Sequence, residues 1–323
     1  KDGNYYEMKN SAVSDLMEPG STFKTAQALT FLQEGIVTPQ TLFPCSMGFR
    51  FKGLTVGCHA HAAPIPLVPS LATSCNSYYC WGLFQMFSNR KKYSTVQDAM
   101  TRWKDYMVSM GFGYALGVDL PGEKRGMIPN APYYDKAYRG SWNGLTVISI
   151  SIGQGEVNAT PLQIANLGAT IANRGWFITP HVVKDIQDGE LDSLYTTRRY
   201  TMSNPSNYEY VVEGMRQAVL AGTCRGANSP QYEVCGKTGT AQNPHGQDHS
   251  AFMGFAPMNN PRIAICVYVE NGIWGATFGV PIGALMMEQY LTGGLSPESE
   301  EKAKTFEERH LISVNNAFSK QER

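Results

Sequence analysis

Residues 18–24 read Glu18-Pro19-Gly20-Ser21-Thr22-Phe23-Lys24, and Thr25 to Leu32 continue as a helix-forming run. Pro19 and Gly20 punctuate the backbone just ahead of it. On a helix Ser21 and Lys24 stand at i and i+3 on one face, so an amine lies over a hydroxyl. The hydroxyl also falls in the first turn, where unpaired N–H groups and the positive end of the helix dipole favour a negative oxygen. A serine needs a base to act as a nucleophile at neutral pH, and a buried lysine with a lowered pKa is one of the few side chains able to take its proton. The stretch therefore predicts Ser21 as nucleophile and Lys24 as its base, on a helix ending near Gly35.

A Ser-x-x-Lys pair alone is common in helices, where an exposed copy means nothing. Two further stretches change its weight: Ser74-Cys75-Asn76 and Lys237-Thr238-Gly239-Thr240, in that order along the chain. Together the three form the signature of serine β-lactamases and penicillin-binding proteins. Val234-Cys235-Gly236 ahead of Lys237 places the third stretch on a strand, and a strand bordering a cleft can accept an extended peptide along its edge. Lys237, Thr238 and Thr240 then offer charge and hydroxyls to a terminal carboxylate, while Gly239 allows close backbone approach. The N–H groups of Ser21 and Thr240 would make an oxyanion hole. Ser74 is expected between Lys24 and Lys237 as a proton shuttle, with Asn76 holding Lys24 and the substrate amide. Each residue alone has a blander reading: Ser74 as a helix cap, Asn76 as a turn residue, Lys237 as a solvated strand end.

Composition excludes several classes. The 323 residues are 42% hydrophobic and 17% charged, which suits a globular protein with a large core and not a disordered or fibrous one. Lys+Arg and Asp+Glu are both 27, so nothing electrostatic argues for nucleic acid or an anionic membrane surface. No run of about 18 apolar residues reads as a membrane span. Ser21 comes so early that the chain is expected to be a fragment.

Along the chain, residues 1–17 are expected to wrap onto the body as strand or loop, and 41–69 to be an ordered loop over a functional site. Helices are expected over 71–87, with Ser74 and Asn76 at its start, over 96–110, over 160–171 with Thr160 as cap and Pro161 at its first position, and over 207–221. Residues 117–138 read as loop. Strands are expected over 232–241, 250–257 and 263–270, followed by a helix from about Gly283 and a charged tail, 296–323. Helices in the middle and strands late imply an α+β unit, residues 1–295, with an antiparallel sheet flanked by helices and an all-helical lobe.

The three motifs, with Gly117-Val118-Asp119-Leu120-Pro121-Gly122, Ser151-Ile152-Gly153-Gln154-Gly155, Thr160-Pro161-Leu162-Gln163 and the run from Asp248 to Pro257, resemble a class B penicillin-binding protein, most closely the elongation-type penicillin-binding protein 2. The resemblance spans roughly Ala12 to Leu291. It implies the penicillin-binding transpeptidase fold and a D,D-transpeptidase that cross-links peptidoglycan stem peptides through a Ser21 acyl-enzyme, needing no cofactor and acylated by β-lactams. It further implies a membrane anchor and pedestal missing from this chain, work at the periplasmic face of the bacterial inner membrane, and a SEDS-type membrane glycosyltransferase as partner. A serine β-lactamase and a D,D-carboxypeptidase share the chemistry, and a non-enzymatic scaffold is the third alternative.

The seven cysteines are an odd number, which excludes a complete set of internal disulfides. Cys58 and His61 have a spacing that can chelate one metal, and Cys45 and Cys75 flank them, giving three thiolates and an imidazole for tetrahedral zinc. The resemblance also implies a metal in the equivalent loop of some elongation-type relatives, with Asp where this chain has cysteine. A Cys45–Cys58 disulfide or buried free thiols are the alternatives. His59, His181, His245, His249 and His310 read as loop or surface residues, with His245 and His249 near enough to the third motif to touch substrate.

Overall fold

The computed structural model describes residues 9–243 and 246–309. The chain enters through a short helix, α1 (Ser11–Ser14), after which Met17 bridges to Ala159. The Pro19-Gly20 punctuation opens a 3₁₀ turn, Gly20–Phe23, that runs directly into α2 (Lys24–Gln33). Residues 24–31 of α2 are all buried, so the helix is the spine of the helical lobe and not a surface element.

Its far end is tied down by Glu34, whose carboxylate accepts hydrogen bonds from Tyr106 (2.6 Å), Tyr93, Arg102 and Lys92. Burial opposes ionisation there, but these four donors prevail and hold the carboxyl at about 2.

The segment expected to be loop over 41–69 contains a hairpin, β1 (Gly48–Phe51) and β2 (Leu54–Gly57). Lys52 and Gly53 make its turn with φ of 48° and 82°, the paired positive values of a two-residue type I′ loop. The helix expected over 71–87 is two helices, α3 (Leu67–Ala72) and α4 (Asn76–Ser88). Ser74 breaks them with a left-handed φ of 59°. Its N–H bonds Leu71 O and that of Cys75 bonds Ser70 O, a Schellman closure with serine where glycine is usual.

Helix α5 (Val96–Ser109) carries a Thr95/Asp98 capping box. Within the stretch read as loop over 117–138 lies α6 (Ala131–Tyr138), capped by Asn130. Helix α7 (Pro161–Ala172) follows, with Thr160 and Gln163 closing a reciprocal cap. A small pair, β3 (Trp176–Phe177) and β4 (Arg199–Tyr200), leads to α8 (Pro205–Leu220).

The main sheet is antiparallel, in the order β5 (Cys235–Ala241), β6 (His249–Ala256), β7 (Ile263–Val269). After it come α9 (Gly279–Thr292) and α10 (Pro297–Glu307). Alternation along β6 sends neighbouring side chains to opposite faces. Phe252 packs under Gly279 and Gly283 of α9, whereas Met253 meets Gly168 of α7. The sheet is thus buried on both faces, and two apolar clusters result: a large one under α2, α4, α5 and α7, and a smaller one between the sheet and α9. The start of the charged tail is a docked helix: Ser296 and Ser299 bond Glu288, and Phe306 packs on Phe278. The rest of the tail lies outside the described residues, as do residues 1–8.

Candidate active site

Strand β5 is an edge strand, so one side of its backbone faces the helical lobe without a partner strand. The nucleophile turn is pressed against that edge. Gly20 has φ of 54°, and a Cβ there would lie 2.8 Å from Thr240 O, so only glycine admits this approach. Gly239 serves the same contact from the other side: an added Cβ would come within 3.1 Å of Pro19 O and Thr22. The glycine of the third motif therefore makes room for the turn that carries Ser21.

In the 3₁₀ turn, residues three apart eclipse, which stacks Ser21 and Lys24 more directly than an α-helix does. Among the described residues Ser21 Oγ makes no hydrogen bond to Lys24. Lys24 Nζ donates instead to Ser74 O (2.7 Å), Ser74 Oγ (3.2 Å) and Asn76 Oδ1. Lys237 Nζ donates to the same Ser74 Oγ at 2.8 Å. One hydroxyl thus joins two fully buried lysines that lie 213 positions apart in the chain. The left-handed turn at Ser74 is what points both its carbonyl and its hydroxyl at Lys24.

Burial pushes the Lys24 amine down to about 8. Burial, with the charge of Lys24 added, brings Lys237 to about 7. Both sit near the pH at which a proton can be exchanged cheaply, which is the condition for a base and a relay.

A cavity of about 620 Å³ opens over these groups and is lined by Ser21, Ser74, Asn76, Thr238 and Thr240. Five side chains of its wall escaped the sequence reading. Thr223 bonds Thr238 Oγ1 at 2.8 Å. Gln154 and Gln242 line the floor, and His59 meets Trp274 edge to face across the cavity at 5.9 Å. Gln154 and His59 lay in stretches singled out beforehand, His59 beside the cysteine set but read as a loop or surface residue; Thr223, Gln242 and Trp274 did not. His249 is committed elsewhere, its Nδ1 accepting Asn271 N–H at 3.0 Å, and His245 lies outside the described residues.

The cysteine set also converges. One ligand atom from each of Cys45, Cys58, His61 and Cys75 lies within 4.8 Å of all the others. All seven cysteines are free, so the Cys45–Cys58 disulfide is not formed. His61 Nε2 is 3.3 Å from Cys58 Sγ and 3.6 Å from Cys45 Sγ, while its Nδ1 meets Ala62 O at 2.6 Å. That carbonyl places the ring proton on Nδ1 and leaves Nε2 as a lone-pair donor, the arrangement of metal-binding histidines. Cys58 is the thiol that ionises first. The hydrogen bond from Cys75 is the main reason, helped by Asn76 N–H and His61, and the thiol falls to about 4. Asn76 joins the cluster to Lys24: its N–H reaches Cys58 Sγ, its Nδ2 bonds Gly57 O at 2.7 Å, and its Oδ1 takes the Lys24 amine.

The family model for the penicillin binding protein transpeptidase domain matches residues 1–287. The chain belongs to this family. Its relatives include peptidoglycan D,D-transpeptidase MrdA of Acinetobacter baumannii, 31% identical over 299 residues covering 83% of this chain and 41% of that protein. The MrdA of Haemophilus influenzae is 29% identical over 84% of this chain and 44% of its own length. Among solved structures, Pseudomonas aeruginosa PBP2 in complex with WCK 5153 superposes with a TM-score of 0.77 at 30% identity, covering 90% of this chain and 63% of that one. The chain thus spans less than half the length of these MrdA relatives. The transpeptidase fold, an antiparallel sheet flanked by helices, agrees with the α+β expectation. No helix among the described residues is long and apolar enough to cross a membrane.

Proposed function

We propose that this chain is the cross-linking unit, residues 1–295 followed by the tail 296–323, of a peptidoglycan D,D-transpeptidase of the elongation type that serves cell shape. The observation that carries this is the buried relay Lys24–Ser74–Lys237 beside Ser21 at the edge of β5. A donor stem peptide pairs along β5, its terminal carboxylate held by Lys237, Thr238 and Thr240. Ser21 Oγ attacks the D-alanyl-D-alanine carbonyl as Lys24 takes its proton, and the N–H groups of Ser21 and Thr240 receive the oxyanion. Ser74 passes a proton to the departing D-alanine. An amine of a second stem peptide then attacks the ester and releases Ser21. β-Lactams acylate the same serine as mimics of the donor.

Names among the relatives support the setting. One solved neighbour, 30% identical with a TM-score of 0.75, is described as a peptidoglycan synthase complex coordinating polymerisation and crosslinking. In this reading, following the resemblance to the elongation type, the partner is a membrane glycosyltransferase of the SEDS type at the periplasmic face of the inner membrane. No nucleic acid is involved.

Cys45, Cys58, His61 and Cys75 fit a structural zinc: three thiols, an imidazole with the right tautomer and mutual distances a 2.3 Å Zn–S bond can span. Zinc held there would supply no chemistry to acyl transfer and would brace the hairpin against Asn76. The experiment for the activity is labelling by a fluorescent penicillin. The protein is expected to label with one equivalent, and Ser21→Ala to abolish the signal; retained labelling in the variant would refute the assignment.

A further inference from the structure

The catalytic cleft does not end at Ser21. The main cavity shares Ser149, Gln154, Gln242 and Asp248 with a second one of about 510 Å³, which reaches on to Glu18. This second arm is fastened to the nucleophile turn. Gly20 N–H bonds Gly153 O at 2.9 Å, and Gly155 N–H bonds Glu18 Oε1 at 3.0 Å, so the 153–155 turn and residues 18–20 move as one. On the opposite wall Asp248 Oδ1 accepts the N–H of Asn243, while the Asp248 carbonyl holds Ile273 N–H at 2.7 Å.

Charge is divided between the two arms. Lys24 and Lys237 lie beneath the arm that holds Ser74 and Thr238. The other arm carries the carboxylate of Glu18, with that of Asp248 at the junction of the two, and Glu156 adds to the negative field at Glu18. Neither Glu18 nor Asp248 forms an ion pair among the described residues. The two substrates of a transpeptidation are divided in the same way: the donor ends in a carboxylate, and the acceptor presents an amine that is an ammonium in neutral water. Matching potentials of this kind gather the correct partner and exclude the wrong one.

Resting on the transpeptidase reading above, we propose that the arm walled by Glu18 and Asp248 receives the acceptor, a stem peptide with a free side-chain amine. The ammonium enters between the carboxylates and gives up one proton to solvent through them. Its nitrogen then attacks the acyl carbon on Ser21. The C–N bond forms, the C–Oγ bond breaks, and the second nitrogen proton passes by way of Lys24 to Ser21 Oγ.

The test uses the protein blocked at Ser21 by benzylpenicillin, so that the donor arm is filled. It is titrated with a short stem peptide bearing a free side-chain amine, and with the same peptide N-acetylated at that amine. The free amine is expected to bind about tenfold more tightly than the acetylated form. E18Q and D248N are each expected to form the penicilloyl-enzyme and to lose most of that difference. Equal binding of the two peptides, or undiminished discrimination in both variants, overturns the proposal. So does slower hydrolytic loss of the penicilloyl group in E18Q with amine binding intact, which would make Glu18 a base for water. A protein that benzylpenicillin does not acylate at all refutes the transpeptidase reading itself, and this inference with it.

Discussion

Lys24 has no exposed surface, yet the proposed reaction requires it to change protonation state. Burial removes its preference for charge, and the amine falls from 10.5 to about 8. Because only the neutral amine accepts the Ser21 proton in the proposed reaction, acylation by a β-lactam should accelerate as pH rises toward the neutral range, with an apparent pKa well below that of free lysine. In the same proposal Lys237 stays charged to hold a carboxylate; its lower value of about 7 makes its deprotonation overlap the rise, so the profile should be a narrow bell with its maximum between about 7 and 8. A stopped-flow profile with its acid limb near 10 would contradict this account of the base. Gly20 is the other residue with no substitute. Gly20→Ala places a Cβ against Thr240 O in a left-handed backbone, and should destabilise the protein by roughly 1–3 kcal/mol while slowing penicillin labelling. Denaturant unfolding beside labelling rates checks both effects; a variant equal to wild type in the two assays would show that the turn and β5 are not so tightly pressed.

At the scale of elements, what could be read in advance follows from how local each signal is. Strands β5 to β7 and helices α5, α7 and α8 carry seven or more residues of consistent pattern, and they fall within a few positions of expectation. The hairpin β1–β2 was missed because its strands have four residues each and its turn is Lys52-Gly53, where Asn-Gly or Asp-Gly is the usual sign. Helix α6 was hidden behind a stretch dense in turn residues, although Asn130 and Pro132 mark its start. The break at Ser74 had no sequence sign at all. A serine in left-handed conformation is tolerated there only because the Schellman closure and the two lysines hold it. The Cys58-x-x-His61 pair was legible as a spacing, but only folding brings Cys45 and Cys75 to it. Elemental analysis should find about one zinc per chain, and a chelator should lower the melting temperature and the acylation rate together, since Asn76 is bonded both to the hairpin and to Lys24. Metal-free protein with unchanged acylation would count against a brace at this position.

At the scale of the whole molecule, the site exists because two packed bodies meet. The helical lobe supplies Ser21 from the 3₁₀ turn, Lys24 from α2, and Ser74 and Asn76 from the α3–α4 junction; the sheet supplies Lys237, Thr238 and Thr240 from β5. The two clusters of the core lie on opposite faces of the sheet, so the lobe is fixed against β5 by burial on one side and α9 stiffens the sheet from the other. Order of motifs along the chain foretold which residues would meet. It could not foretell the second arm of the cleft, since Glu18, Gln154 and Asp248 come from three separate loops that only this packing aligns. The central claim is that Ser21 alone, among all the hydroxyls of this cleft, is the atom that becomes acylated. Mass spectrometry of the protein treated with a β-lactam tests it most directly: the intact chain should gain the mass of one antibiotic, and the adduct should map to the peptide containing Ser21. An adduct on the peptide containing Ser74, or no adduct at all, would contradict the account.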